Sequence, residues 1–124
     1  MQVKYYGSFA TTHGHDERAF SVPITQLVAK MQANPEAFSI ITVSFTSSGV
    51  VLEDRGGSGM TIPGNMLTLA DKLPNPNFFA VVALSPDRTY FLCHIFSAYR
   101  VSTAGTIDFL ADGCKRLIKK DPSV

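Results

Sequence analysis

Two segments of helical hydrophobic period bracket a long stretch in which the period is two. Ile24, Leu27, Val28 and Met31 recur at i, i+3, i+4 and i+7 behind Pro23, and Asn34-Pro35 comes next, which predicts a helix with proline in its first turn and a sharp stop. From Phe38 the pattern alternates: Ile41, Val43 and Phe45 interleave with Thr42 and Ser44, and Ser47-Ser48-Gly49 turns the chain into Val50-Val51-Leu52. Gly56-Gly57-Ser58-Gly59, Pro63-Gly64-Asn65, Pro74-Asn75-Pro76-Asn77 and Ser85-Pro86-Asp87-Arg88 punctuate the chain from there to the second helix. Between them lie short strands at Met60 to Ile62, Met66 to Ala70, Phe78 to Leu84 and Tyr90 to Phe96. With a first strand at Val3 to Phe9, the expectation is seven strands and two helices. Closely spaced strands joined by a few turn residues favour an antiparallel meander over βαβ crossovers, so the fold class is α+β, a seven-stranded barrel or sandwich.

The second helix closes the pattern. Ile107, Leu110, Ala111, Cys114 and Ile118 form one apolar stripe, expected to cap an open end or seam of the barrel. Phe109 lies far off that stripe, and Gly113, one turn later, costs about 1 kcal/mol of helix stability against alanine. Two readings stay open: Phe109 and Gly113 face an incoming partner, or Phe109 packs on another loop. A helix lying along a strand edge leaves a groove of the kind that binds peptides.

Composition narrows the function classes. In 124 residues, 45% hydrophobic and 17% charged with net charge +1, there is neither the low hydrophobicity of disorder nor the basic excess of a nucleic-acid binder. A single domain over 1–120 with a frayed tail at 121–124 is expected. No apolar stretch approaches the length of a membrane span, and the start lacks a signal-peptide core, so the expected location is cytoplasmic. Cys93 and Cys114 each sit in an apolar element and are expected as buried thiols.

Candidate chemistry is sparse. His13-Gly14-His15-Asp16-Glu17 carries metal-capable side chains, but its spacing suits a solvated loop rather than a rigid site. His94 falls inside a strand, where a core histidine is expected; its neighbour Cys93 points to the opposite face, so the two cannot form a thiolate pair. The glycine-rich turn at 56–59 lacks the lysine and helix of a phosphate loop, no serine has an elbow motif, and no carboxylate pair is spaced for acid–base work. No enzyme, metal or cofactor is expected. Nine Phe and four Tyr mostly occupy core-like strand positions, against a nucleic-acid stacking surface.

Five short motifs, in order, resemble the phosphotyrosine-binding (PTB) domain, the peptide-binding branch of the pleckstrin-homology superfold. Val3-Lys4-Tyr5-Tyr6-Gly7-Ser8 is similar to that family's V-x-Y-L-G-S strand, and Gly49-Val50-Val51-Leu52-Glu53-Asp54 to its G-I-x-L-x-D hairpin. Leu67-Thr68-Leu69-Ala70-Asp71, Phe79-Ala80-Val81-Val82 and Cys93-His94-Ile95-Phe96 resemble its I-S-x-C-A-x-D, F-A-Y-V and C-H-V-F strands. Thr106-Ile107-Asp108-Phe109-Leu110 looks like the last helix of tensin-type members. The resemblance spans nearly the whole chain.

It implies a monomeric signalling or adaptor module in which a peptide of a receptor or signalling protein, commonly containing Asn-Pro-x-Tyr, adds antiparallel to the fifth strand. By position Met66, Leu67, Thr68, Leu69, Ala70 and Asp71 would form the ladder, and Phe109, Gly113 and Cys114 the facing wall. The family's phosphate-binding cations do not carry over: Thr68, Leu84 and Phe91 stand at three of their positions. Arg18, Arg88 and the Thr68 hydroxyl are the substitutes available, and phosphorylation dependence stays open. The alternative is a phosphoinositide-reading module at the inner membrane surface, for which Lys4 and Arg18 are a thin basic cluster.

Overall fold

The computed structural model describes residues 2–74, 77–99 and 103–119, with the side chains of 103–107 and 119 excepted. The tail expected at 121–124, and Ile107 as a member of the apolar stripe, lie outside that description. Strands β1 (Gln2–Thr11), β2 (Ser39–Phe45), β3 (Gly49–Glu53), β4 (Gly59–Pro63), β5 (Leu67–Lys72), β6 (Phe78–Leu84) and β7 (Phe91–Ala98) join helices α1 (Ser21–Ala33) and α2 (Thr103–Lys119). All seven strands pair antiparallel in the order β4-β3-β2-β1-β7-β6-β5. One non-sequential pairing, β1 with β7, joins the β1–β4 meander to the β5–β7 meander, and the open sheet ends at β4 on one side and β5 on the other.

β1 runs past its expected end and serves both halves of the sheet. Its first residues pair with β2 while its whole length follows β7, with a register shift between Tyr5 and Ser8. Gly7 sits in that shift at φ 100°, a conformation open to glycine and strained for side chains, and Lys30 Nζ donates to the adjacent Tyr6 carbonyl at 2.8 Å. The loop expected at His13–Glu17 ends in a 3-10 turn at Glu17–Phe20, because the Asp16 carboxylate accepts from Arg18 N and caps it.

Two cores result, one on each face of the sheet. Inside the curl, Val3, Val43, Leu52, Ile62, Leu67, Phe79 and Phe96 pack with Leu110 and Cys114 of α2. On the outer face, Tyr6, Ala80, Val82, Cys93 and Ile95 are covered by Phe20 and by Leu27 of α1. β6 contributes to both, with Phe79, Val81 and Ala83 inward and Ala80 and Val82 outward, which is why its sequence is apolar almost throughout. Among the described residues no helix is long and apolar enough to cross a membrane.

Candidate functional site

β5 is an edge strand whose alternation decides what it offers. Leu73 N–H donates to the Phe78 carbonyl at 3.0 Å, and the register continues Asp71 opposite Ala80 and Leu69 opposite Val82. In an antiparallel ladder this directs the main-chain groups of Leu69, Asp71 and Leu73 to β6 and those of Ala70 and Lys72 away from it. The outward Lys72 N–H donates to the Asp71 carboxylate at 2.8 Å, so the chain plugs its own edge with a side chain. Met66, expected as the first ladder residue, is instead the last residue of a 3-10 turn, Gly64–Met66, closed by Leu67 N–H on the Gly64 carbonyl. Thr68 is the extra residue of a bulge between Leu67 and Leu69.

α2 lies against this strand, held by charge. Lys72 Nζ meets Asp108 Oδ1 at 2.7 Å and Lys115 Nζ meets Asp71 Oδ1 at 3.8 Å, both pairs about half exposed. The hydrogen bond from Lys72 and the Asp108 charge hold that ammonium above its ordinary pKa. Asp108 and Lys115, seven residues apart, share one flank of the helix. They flank the candidate site, and the hydrophobic pattern gave no means of finding them.

Of the three residues expected as the facing wall, Phe109 and Gly113 lie against β2, and Cys114 lies in the inner core that also holds Leu67 and Ala70 of β5. Phe109 is 51% exposed and edge-on to Phe45 at the end of β2, 6.2 Å between centroids. A Cβ built on Gly113 would lie 2.6 Å from that same Phe45 ring, so the glycine admits β2's aromatic to the opposite flank of α2. Cys114 is buried in the inner core. The reason is rotational: 100° per residue puts 109 and 113 about a third of a turn or more from the flank of 108 and 115.

The three substitutes for phosphate-binding cations are not gathered together. Arg18 is exposed and forked onto Asp16, with Nε and Nη2 2.6–3.1 Å from its two oxygens, and this pairing lowers the Asp16 carboxyl to about 2. Arg88 is exposed at φ 63° in the β6–β7 turn. That turn is pinned by Arg88 N–H on the Ser85 carbonyl and by Ser85 Oγ on Asp87 Oδ1. It stands at the end of the sheet where β5 begins, since Leu84 pairs with Phe91 and Leu67 with Ala83. The Thr68 hydroxyl donates to the Val82 carbonyl at 3.3 Å and so is engaged within the sheet.

The remaining reactive groups are structural. His94 is buried, its Nδ1 3.1 Å from Tyr5 Oη, and burial depresses its pKa to about 4. Cys93 and Cys114 are free thiols that burial pushes up to about 12, too high for a nucleophile at neutral pH. His15 is edge-on to Phe91, whose ring also rests on Gly14, and among the described residues no group of three His, Cys, Asp or Glu could hold a metal.

Two adjoining hollows open beyond the C-terminal end of β5. One of about 370 Å³ runs from Glu17 and Phe20 to Asp71 and Lys72; the other, about 500 Å³, lies between α1 and Leu73, Pro74 and Phe78. They share Ile24, Leu73 and Pro74.

A seven-stranded antiparallel sheet with a helix inserted after its first strand and a second helix laid on an edge strand is the fold of PTB domains, within the pleckstrin-homology-like class. Over its full length the chain superimposes on the solution structure of the C-terminal phosphotyrosine interaction domain of mouse APBB2, with a TM-score of 0.76, 12% identity and 89% of that domain covered. No family model matches the chain, and no curated protein sequence matches it significantly.

Proposed function

We propose that this domain is a non-catalytic adaptor module that binds a short tyrosine-containing peptide, of the Asn-Pro-x-Tyr kind, by antiparallel addition to β5. The observation that carries this reading is the outward edge of β5, where Ala70 and Lys72 turn their main-chain groups away from β6 beside the Asp108–Lys115 flank of α2. An edge of this kind supplies ladder hydrogen bonds, and the flanking helix supplies side-chain contacts. The shared fold with a phosphotyrosine interaction domain supports it.

Antiparallel addition fixes direction. The peptide's N-terminal end lies beside Lys72, and its tyrosine, C-terminal to the paired residues, falls at the Leu67 end, on the side of the β6–β7 turn. Arg88 is therefore the cation that reads a phosphate, while Arg18, forked onto Asp16 near the other end, does not. Calorimetric titration with phosphorylated and unphosphorylated Asn-Pro-Ala-Tyr peptides tests both statements. Micromolar binding that Arg88→Ala weakens for the phosphorylated form alone, with Arg18→Ala neutral, is the expected result. No binding of either form would overturn the reading; equal loss for both forms would remove Arg88 from phosphate recognition.

A further inference from the structure

The hollows beyond β5 are built on the path that a strand-adding peptide must take. Past Lys72 the strand's own continuation is Leu73 and Pro74, and both border the two hollows. The nearer hollow has a charged rim, Glu17, Asp71 and Lys72, over a floor of Phe20 and Ile24. The farther one is lined by Ile24, Val28, Met31, Leu73 and Phe78, apolar side chains with Gln32 as the polar exception. Val28 is 48% exposed there although it falls in the helix's apolar stripe, so the fold leaves part of that stripe uncovered. Ile24, Met31 and Phe78 are only partly buried against the outer core, and Met31 has the flexible side chain that adapts to varied ligand shapes. The apolar surface is thus continuous with the open end of β5.

We propose that this groove is a specificity site for the residues immediately upstream of the strand-adding segment, and that it selects large aliphatic or aromatic side chains there. The inference rests on the strand-addition reading, because the direction of the bound peptide is what brings its N-terminal side past Leu73. The occupant is part of the same ligand, so a single peptide is held in two modes: by main-chain hydrogen bonds on β5, which are indifferent to sequence, and by side-chain burial against α1, which is not. Burying a leucine-sized side chain in such a groove is worth roughly tenfold in affinity.

The test uses three fluorescein-labelled peptides: a short Asn-Pro-Ala-Tyr peptide ending at the residue beside Lys72, and the same peptide extended upstream by Leu-Leu or by Ser-Ser. Dissociation constants come from anisotropy on the wild-type domain and on Val28→Glu, a half-exposed position whose folding is checked by its thermal melt; Val28→Lys serves if that variant melts early. The expected result is Leu-Leu binding roughly tenfold tighter than Ser-Ser on the wild type, a difference that Val28→Glu abolishes without changing the short peptide's affinity. Equal affinities for the Leu-Leu and Ser-Ser peptides, with the short one binding, would overturn the groove while leaving strand addition standing. A difference that persists in both Val28 variants would also overturn it. Failure of the short peptide to bind would bring down strand addition, and the groove with it.

Discussion

The sheet has two edges, and they differ in nearly everything except being edges. β4 begins at Gly59 and ends at Pro63, with Met60 exposed between, and Pro63 has no N–H to give a further strand. Glycine and proline at an edge blunt it against pairing. β5 carries neither residue from Leu67 to Lys72, and it is managed instead by its own Asp71 side chain and by a helix held through two ion pairs. A blunted edge is protected permanently, whereas an edge covered by exposed charges can be uncovered at low cost, since such pairs contribute little in water. On the strand-addition reading, the contrast teaches that edge protection by removable side chains, not exposure as such, is what sets β5 apart from β4.

If α2 is what distinguishes the edges, loosening it should bring β5 toward ordinary edge behaviour. Leu110 is fully buried in the inner core, so Leu110→Ala is expected to cost about 2–5 kcal/mol in chemical denaturation. Amide exchange should accelerate in β5 more than in β4; equal acceleration would mean that α2 stabilises the sheet without guarding an edge.

Acid should act between the edges rather than at either. The unfolded imidazole of His94 takes up a proton near pH 6.5, the buried one only near about 4. Its contribution is therefore fully present above pH 6.5 and lost as pH falls from there to about 4, a total of about 3 kcal/mol. Stability measured against pH should show that decline, and His94→Gln should flatten it.

A smaller and more local effect separates the edges by ligand. Lys72→Pro removes an N–H that makes no bond to β6, so the fold should persist while peptide affinity falls about tenfold or more. Met60→Lys, on the β4 edge, should leave affinity unchanged. Loss of binding in the Met60 variant would mean that the two edges are not functionally distinct.

Much of this fold is legible because burial writes itself into the sequence. β6 is covered on both faces, and its expected bounds, Phe78 to Leu84, are those observed. Leu110, Ala111 and Cys114 read correctly as the inward stripe of α2. The expected start of β5 is displaced by one residue because Met66 is apolar, yet Leu67 N–H closes a 3-10 turn just before the strand. The ion-paired flank of α2, Asp108 and Lys115, goes unread for a different reason. Periodicity gives the face that meets the core but not which neighbour lies on either side, and the ion pairs that orient α2 join Asp71 and Lys72 to residues 36 or more positions away by number. Gly113 reads as bare backbone because the ring that fills it, Phe45, comes from β2. The groove on α1 is hidden in the same way, as Val28 carries the hydrophobic signature of a covered residue and is not covered.

The most direct test is an amide chemical-shift titration of the labelled domain with the Asn-Pro-Ala-Tyr peptide in its phosphorylated and unphosphorylated forms. Strand addition to β5 predicts that Leu67 to Lys72 and Asp108 to Lys115 shift together and saturate at one dissociation constant, with Ala70 and Lys72 most protected from exchange in the complex, while Gly59 to Ile62 of β4 stay still. Shifts confined to β4, to the Phe45–Phe109 flank of α2, or to no part of the sheet would contradict it.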